Sequence, residues 1–236
     1  MSFVTDVLIT INREDYDRAK AVLHPKRLEY VPGVGIHTAK FRRDTIEPKE
    51  KRKELGFSER DFLMLTVAEM TKNKNHITIL KAVETLKGTD AYERLHYLIV
   101  GRGEQWESLE ADAKAMGIDG HVHFLGYRGD APQLYRCCDL FAFMPFREGL
   151  SVALMEAMSS GMAIFCSEIR GNTDLVEDGV SGVYVKNDPQ SVAQAIAGLQ
   201  ADPQLRARLG AGAAEKALLF DDENVHRIMK EIYLSV

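Results

Sequence analysis

Two glutamates, Glu148 and Glu156, stand eight positions apart directly after an apolar run. The apolar residues around them fall on one face of a helix, which predicts a helix over residues 149–160 that is buried against a sheet: Leu150, Leu154, Ala157 and Met158. Eight helical residues rise about 12 Å, which is about the span between the sugar and the ribose of a nucleotide sugar. The spacing is therefore compatible with one carboxylate binding sugar hydroxyls and the other binding ribose hydroxyls.

The start of this helix adds backbone donors to the candidate site. The free N–H groups of Gly149 and Leu150 would face a diphosphate placed between the two carboxylates. Two unrelated surface glutamates would show the same spacing, so the spacing alone leaves both interpretations open.

A second candidate is the loop of residues 69–76, which follows a predicted strand and leads into a helix. Its two lysines, Lys72 and Lys74, would neutralise a diphosphate at a helix N-terminus, where backbone N–H groups already favour an anion. A polar turn capped by Asn75 is the alternative interpretation.

Two further loops carry weaker signals. Tyr127 and Arg128 present planar groups that could stack on a nucleobase, although an exposed aromatic residue in a turn is equally common. Gly101 and Gly103 form a G-x-G turn after a predicted strand, but Trp106 occupies the position of the third glycine of a dinucleotide-binding loop. This turn is therefore expected to be structural.

Strands and helices must position these loops. Short apolar runs predict strands at residues 7–11, 28–31, 62–68, 95–100, 121–125, 140–144, 163–166 and 182–185. Helical periodicity predicts helices at residues 77–86, 106–116, 149–160, 190–200, 203–217 and 223–234. Most strands are continuous in Val, Leu, Ile and Phe, which is typical of parallel strands covered on both faces. The alternation predicts an α/β fold with a doubly wound, Rossmann-like parallel sheet, whose ligands bind beyond the carboxyl ends of the strands.

Length and charge restrict the possible functions. The chain has 236 residues with 45% hydrophobic content and a net charge of −5. The length allows one large domain plus a fragment, and the negative charge gives no general attraction to nucleic acid or to an anionic membrane. The apolar stretches are shorter than the roughly 20 residues of a membrane-spanning helix, and the first residues do not resemble a secretory signal.

The histidines and cysteines of the sequence do not indicate a metal site or a disulfide framework. His121 and His123 lie on one side of a predicted strand, but no third ligand stands near them, so no metal is expected. Cys137, Cys138 and Cys166 show neither metal-ligand spacing nor a disulfide framework, which favours a reducing cytoplasm.

The segment around the two glutamates resembles the E-x7-E motif of the family 4 retaining glycosyltransferases, enzymes with two facing Rossmann-like domains of the B type. The resemblance extends over residues 28–236 and includes three other segments: 124–130, 170–182 and Asn73-Lys74-Asn75. Residues 72–76 and 169–172 resemble the bacterial capsular and exopolysaccharide transferases within this family.

The resemblance implies a role for each candidate residue. Glu148 would contact the donor sugar at the reacting centre, and Glu156 would hold the ribose. Lys74, assisted by Lys72, would bind the diphosphate and stabilise the leaving group. Tyr127 and Arg128 would lie where the family binds the base. The sequence departs from the family at Glu69, where the family has a phosphate-binding arginine.

The resemblance also implies a division of the chain. Residues 1–24 correspond to the last strand and helix of an N-terminal acceptor domain, and residues 25–236 to the donor-binding domain.

The parent enzyme would transfer a sugar from a UDP-sugar to a hydroxyl of a glycan or lipid-linked glycan, with retention and without a cofactor or essential metal, at the inner face of the membrane. The isolated chain is expected to bind the donor without transferring it. Its N-terminal edge strand should either be mobile or lie against the C-terminal helix of residues 223–234, which self-association could bring about.

Two alternatives stay open from the sequence. The chain could be a non-catalytic nucleotide-sugar-binding subunit that works with a separate acceptor subunit. It could also be an unrelated Rossmann-like binding domain, which the joint match of four loops disfavours.

Overall fold

The computed structural model describes residues 4–42 and 47–235. All eight predicted strands are present within one or two residues of their predicted ends: β1 (Val7–Thr10), β2 (Arg27–Tyr30), β3 (Phe62–Val67), β4 (Leu95–Val100), β5 (Val122–Gly126), β6 (Leu140–Phe143), β7 (Ala163–Ser167) and β8 (Val183–Val185).

The helices include all six that periodicity predicts and several shorter ones. They are α1 (Arg13–Val22), α2 (Pro48–Glu54), α3 (His76–Thr85), α4 (Asp90–Arg94), α5 (Trp106–Ala115), α6 (Ala131–Cys137), α7 (Val152–Ser159), α8 (Asn172–Leu175), α9 (Pro189–Ala201), α10 (Pro203–Ala217) and α11 (Asp222–Leu234). Single 3-10 turns cover Thr38–Phe41, Lys72–Lys74 and Leu218–Phe220. Within the described residues, no helix is both long enough and apolar enough to cross a bilayer.

Six strands form one parallel sheet in the order β5-β4-β3-β6-β7-β8. Apolar clusters cover both faces of this sheet: one packs β3 and β4 against α3, α5 and α9, and the other packs β3 and β6 against α6, α7 and α10. The predicted fold class, α/β with a doubly wound Rossmann-like parallel sheet, is confirmed.

The chain reverses its direction of travel across the sheet between β3 and β6. It proceeds from β3 outward through β4 to β5, and then returns to β6 and proceeds through β7 to β8. Because β3 and β6 are hydrogen-bonded neighbours, the loops that follow them separate at the same edge and open a crevice. These two loops are the ones that carry Lys74 and Glu148.

A second, two-stranded parallel sheet joins β1 to β2 through α1. Its apolar side packs on α11, where Val7 and Ile9 meet a small cluster of Val31, Val225 and Ile232. This placement agrees with one of the outcomes expected for the N-terminal strand. Strand β2 pairs with β1 and not with the six-stranded sheet, whereas the domain boundary after residue 24 and the self-association remain predictions.

Candidate functional site

Asn73 joins the two loops of the crevice. Its carbonyl oxygen accepts a hydrogen bond from the Phe146 N–H at 2.9 Å. Its side-chain amide bonds both sides of the Arg147 backbone: Nδ2 donates to the carbonyl oxygen at 2.8 Å, and Oδ1 accepts from the N–H at 3.1 Å. These three bonds hold the loop after β3 and the loop after β6 in one register.

Asn75 makes the second connection, and it does so differently from the predicted helix cap. The residue adopts the left-handed conformation at φ 56°, ψ 38°, and its side chain does not cap α3. Instead, Nδ2 donates to the Met144 carbonyl at 3.1 Å and to Asn187 Oδ1 at 3.2 Å, while Oδ1 accepts from the Thr78 hydroxyl at 2.8 Å. Asn75 therefore fixes the end of β6 against the start of α3.

Lys74 and Glu148 meet at the centre of the crevice in a direct ion pair between Nζ and Oε2. Their side chains are 21% and 16% exposed, and the Lys74 ammonium lies 5.4 Å from the centre of the Phe143 ring. The other carboxylate oxygen of Glu148 accepts the Gly149 N–H at 3.2 Å. In this structure the lysine thus already has an anionic partner, and that partner is the other predicted catalytic residue.

Helix α7 begins at Val152, which corrects the predicted start at Gly149. Ser151 is the N-cap, and its Oγ accepts the Leu154 N–H at 3.3 Å. Gly149 and Leu150 therefore lie before the helix. Because Glu148 also lies before it, the expected helical rise of about 12 Å does not describe the separation of Glu148 and Glu156. The first-turn N–H groups that face outward from the helix belong to Val152 and Ala153.

The segment before α7 lies in tight contact with two glycines from other parts of the chain. Gly171 has φ 84°, and a Cβ on it would collide with the Gly149 carbonyl oxygen. Leu150 fills the space next to another glycine, Gly33, whose added Cβ would collide with the leucine side chain. The segment before α7 is thus shaped by neighbours that are distant in the sequence.

Glu156 lies half-buried on α7 beside a tyrosine that the sequence did not suggest. The Tyr135 hydroxyl donates to Glu156 Oε2 at 3.0 Å. Burial raises the pKa of Glu156, while the hydrogen bond from Tyr135 opposes that rise. Burial together with the nearby carboxylate raises the pKa of Tyr135 well above its usual range. Tyr135 thus occupies Oε2, and no hydrogen bond from any residue in 4–42 or 47–235 occupies Oε1.

A pocket of about 410 Å³ opens beside Glu148. It lies between the loops that follow β6 and β7, and its lining residues are Phe146, Arg147, Glu148, Gly149, Ile169 and Arg170. A second pocket, of about 590 Å³, shares Ile169 and extends along the ends of β7 and β8. The crevice therefore continues from Glu148 toward the β8 side of the sheet.

The other predicted residues lie around this centre. Lys72 is exposed on the turn that carries Lys74. Tyr127 is 84% exposed after β5, and its ring is open to solvent. The guanidinium of Arg128 already makes two hydrogen bonds to Asp130, at 2.8 and 2.6 Å, and Lys51 contacts the same carboxylate at 2.6 Å. These contacts hold the pKa of Asp130 well below its usual range.

The G-x-G turn is structural. A Cβ on Gly101 would collide with the Ala68 carbonyl oxygen, and one on Gly103 would collide with the Met70 backbone. Met70 also donates its N–H to the Arg102 carbonyl at 3.0 Å. The two glycines thus let the loop after β4 pack directly on the loop after β3.

The histidine pair belongs to an aromatic cluster at the opposite end of the strands. His123 Nε2 lies 3.1 Å from His96 Nδ1, and His121 Nδ1 donates to the Leu95 carbonyl at 2.7 Å. Burial, reinforced by the neighbouring imidazoles, lowers the pKa of His123 to about 4. In the part of the chain that the structure describes, no three His, Cys, Asp or Glu residues are grouped as metal ligands.

Comparison with known proteins agrees with this architecture. Residues 47–216 match the family Glycosyl transferases group 1. The chain is 32% identical over 236 residues to the protein named "Putative glycosyltransferase EpsD" of Bacillus subtilis, covering 99% of the chain and 61% of that protein. It is 25% identical over 215 residues to N,N'-diacetylbacillosaminyl-diphospho-undecaprenol alpha-1,3-N-acetylgalactosaminyltransferase of Campylobacter jejuni, covering 89% of the chain and 55% of that enzyme.

A solved structure shows the same fold. The crystal structure of Anabaena Alr3699/HepE in complex with UDP superimposes with a TM-score of 0.88 at 22% identity, over 98% of this chain and 64% of that one. The chain thus spans about three fifths of the length of these proteins. Since the family match covers most of the chain, the protein belongs to the group 1 glycosyltransferases.

Proposed function

We propose that this chain is the donor-binding part of a retaining, family 4 glycosyltransferase of bacterial capsular or exopolysaccharide synthesis. The enzyme would transfer a sugar from a UDP-sugar to a hydroxyl of a glycan or lipid-linked glycan in the cytoplasm, at the inner face of the membrane. The observation that carries the proposal is the meeting of Lys74 and Glu148 at the crevice between β3 and β6, beside a pocket. The names of the Anabaena complex with UDP and of the Campylobacter enzyme support the choice of donor and acceptor.

In this proposal Glu148 binds the donor sugar and Glu156 binds the ribose. Tyr135 orients Glu156, because it occupies one carboxylate oxygen and leaves the other for a ribose hydroxyl. The base would lie toward Tyr127 and Arg128. Because Arg128 is paired with Asp130, the exposed ring of Tyr127 is the more accessible stacking surface of the two.

The proposed chemistry requires stabilisation of the leaving diphosphate. The bond between the anomeric carbon and the β-phosphate oxygen breaks, a bond to the acceptor oxygen forms, and the proton of the acceptor hydroxyl passes to the departing diphosphate, directly or through water. Lys74, Lys72 and the N-terminus of α7 would face the negative charge that develops on the diphosphate. The ion pair with Glu148 holds the Lys74 ammonium in place before the donor arrives, which reduces the reorganisation needed at the moment of bond cleavage.

Donor binding by the isolated chain tests the proposal. Titration calorimetry with UDP, UDP-glucose, UDP-N-acetylglucosamine, GDP and uridine should show weak binding of the UDP compounds, at about −4 to −6 kcal/mol. We expect no transfer by this chain alone. If no nucleoside diphosphate or nucleotide sugar binds at millimolar concentration, the proposed function is wrong.

Two substitutions then separate the roles of the glutamates. Glu156→Ala should weaken UDP and UDP-sugar alike, by about 1 to 3 kcal/mol, because both ligands carry the ribose. Glu148→Gln should lower the affinity for UDP-sugar relative to UDP. Glu84→Gln, on the exposed side of α3, is the matched control and should change neither affinity. Equal losses for both ligands in Glu148→Gln would refute the assignment of the sugar to Glu148.

A further inference from the structure

The pocket beside Glu148 is lined by two guanidinium groups from different loops. Three of its lining residues are charged: Arg147, Glu148 and Arg170. The carboxylate of Glu148 is already neutralised by Lys74 from the neighbouring loop. Of the two guanidinium groups, that of Arg170 is paired with Asp15, and that of Arg147 is the charge that an anionic ligand could bind without competition.

Arg147 has a fixed backbone and a free side chain. Asn73 holds its N–H and its carbonyl oxygen at 3.1 and 2.8 Å. Its exposed guanidinium has neither a hydrogen bond nor an ion pair with any residue in 4–42 and 47–235. A ligand that binds this group therefore does not have to displace a protein partner or to order the backbone, both of which would reduce affinity.

Arg170 reaches the pocket from the loop after β7, and its guanidinium is held by α1. It forms an ion pair with Asp15, and Glu14 lies 4.0 Å from Nε. The loop that carries Arg170 rests directly on the loop that carries Arg147, because Gly171 packs on the Gly149 carbonyl. The Arg170 side chain is 40% exposed and the Asp15 side chain is 38% exposed. The pair is therefore accessible to a competing anion.

We propose that Arg147 and Arg170 form a pyrophosphate subsite in this pocket, and that Asp15 of α1 competes with the ligand for Arg170. The inference rests on the proposed function, since it assigns further binding residues to the same crevice. Two guanidinium forks from different loops can each bind phosphate oxygens in a bidentate manner. The pyrophosphate could belong to the donor nucleotide or to a lipid-linked acceptor, and the two sources can be distinguished by experiment.

The test compares three ligands: UDP, inorganic pyrophosphate and farnesyl diphosphate. Arg147→Gln and Arg170→Gln should each weaken binding of inorganic pyrophosphate about tenfold. Arg208→Gln removes the same charge from an exposed position on α10 and should have no effect. A parallel loss for UDP assigns the subsite to the donor, whereas a loss for farnesyl diphosphate with UDP unchanged assigns it to a lipid-linked acceptor.

A second variant changes the affinity in the opposite direction. Asp15→Asn releases Arg170 and should strengthen pyrophosphate binding about threefold, because an exposed ion pair contributes little. Asp17→Asn, on the same helix and exposed, is its control.

If Arg147→Gln and Arg170→Gln bind all three ligands as tightly as Arg208→Gln, the inference is overturned while UDP-sugar binding by the unmodified chain still supports the proposed function. If the unmodified chain binds no UDP compound but its pyrophosphate binding responds to both arginines, the proposed function fails and the subsite remains. An unmodified chain that binds none of the three ligands overturns both.

Discussion

The six-stranded sheet and the two-stranded sheet differ in what covers their strands. Strands β6 and β7 are buried at every residue, and aromatic side chains such as Phe141 fill the space beneath them. Every residue of β1 and β2 is only half-buried, and their apolar side has little more than α11 to pack against. The larger sheet therefore carries its own core, while the smaller one depends on neighbouring elements.

Polar contacts at the surface help to hold the two-stranded sheet and α1 against the rest of the chain. The Arg13 N–H donates to Asp174 Oδ2 at 3.1 Å, Arg170 pairs with Asp15, and Arg27 donates to the Ser235 hydroxyl at 2.5 Å. All three contacts join the two-stranded unit to other parts of the chain at the surface. Exposed contacts of this kind are weak, so the junction between the two units is expected to open more readily than the six-stranded core.

The largest expected effect comes from the core of the larger sheet. Phe141→Ala should lower the free energy of unfolding by about 3 to 5 kcal/mol, because it leaves a cavity at the centre of β6. Ile9→Ala in β1 should cost only about 1 to 2 kcal/mol, since this side chain is half-buried. Urea denaturation measures both. Equal losses would contradict the difference between the sheets.

Acid should destabilise the larger unit through His76. This imidazole is buried beside Tyr97, and burial lowers its pKa to about 4 from the ordinary 6.5. The folded state therefore binds the proton less readily than the unfolded state. The stabilisation is complete above pH 6.5 and is lost as the pH falls from 6.5 toward 4, by roughly 1 kcal/mol per pH unit.

His123 should add a smaller loss in the same direction, because it is partly exposed to solvent. The measurement is the free energy of unfolding in urea between pH 7 and 5. His76→Gln should flatten the dependence on pH, whereas His226→Gln, an exposed residue of α11, should leave it unchanged. A stability that stays constant over this range in the unmodified protein would show that these histidines do not titrate as expected.

An intermediate effect is expected where the loops of the site meet. Gly171→Ala should cost about 1 to 3 kcal/mol, because φ is 84° and the added methyl group collides with the Gly149 carbonyl. It should also displace the segment before α7 and weaken UDP-sugar binding. Gly129→Ala in the loop after β5 is the control, since its Cβ would meet no atom within 4 Å. Similar losses in both variants would argue against a tight contact at Gly171.

The smallest effect should come from the junction itself. Asp15→Asn removes the ion pair with Arg170 but keeps a side chain that can bond to Asn12, so the free energy of unfolding should fall by less than about 1 kcal/mol. Hydrogen exchange should become faster in α1 and remain unchanged in β3 and β6. Asp17→Asn serves as the control. A loss above about 2 kcal/mol would mean that the two units are more strongly coupled than their surface contacts indicate.

Strand positions were predictable because they depend on short-range patterns. The apolar run at Leu95–Val100 predicted β4 at both of its ends, and the other long runs predicted their strands almost as closely. Helices α4 and α8 have only five and four residues, so they contain too little periodicity to be recognised. The apolar pattern predicts too early a start for α7, because Leu150 continues the pattern although it lies before the helix and packs against Gly33.

The sequence by itself determined the type and order of the elements, since continuous apolar runs and helical periodicity are local properties of the chain. It also located Lys74 and Glu148 in loops that follow strands. Only the tertiary structure decided that these two form an ion pair, that Asn73 holds Arg147, and that Arg170 is bound by Asp15. Each of these contacts joins residues more than 70 positions apart. Their formation depends on strand order, on loop packing and on which charges are brought close together, and no local pattern contains that information.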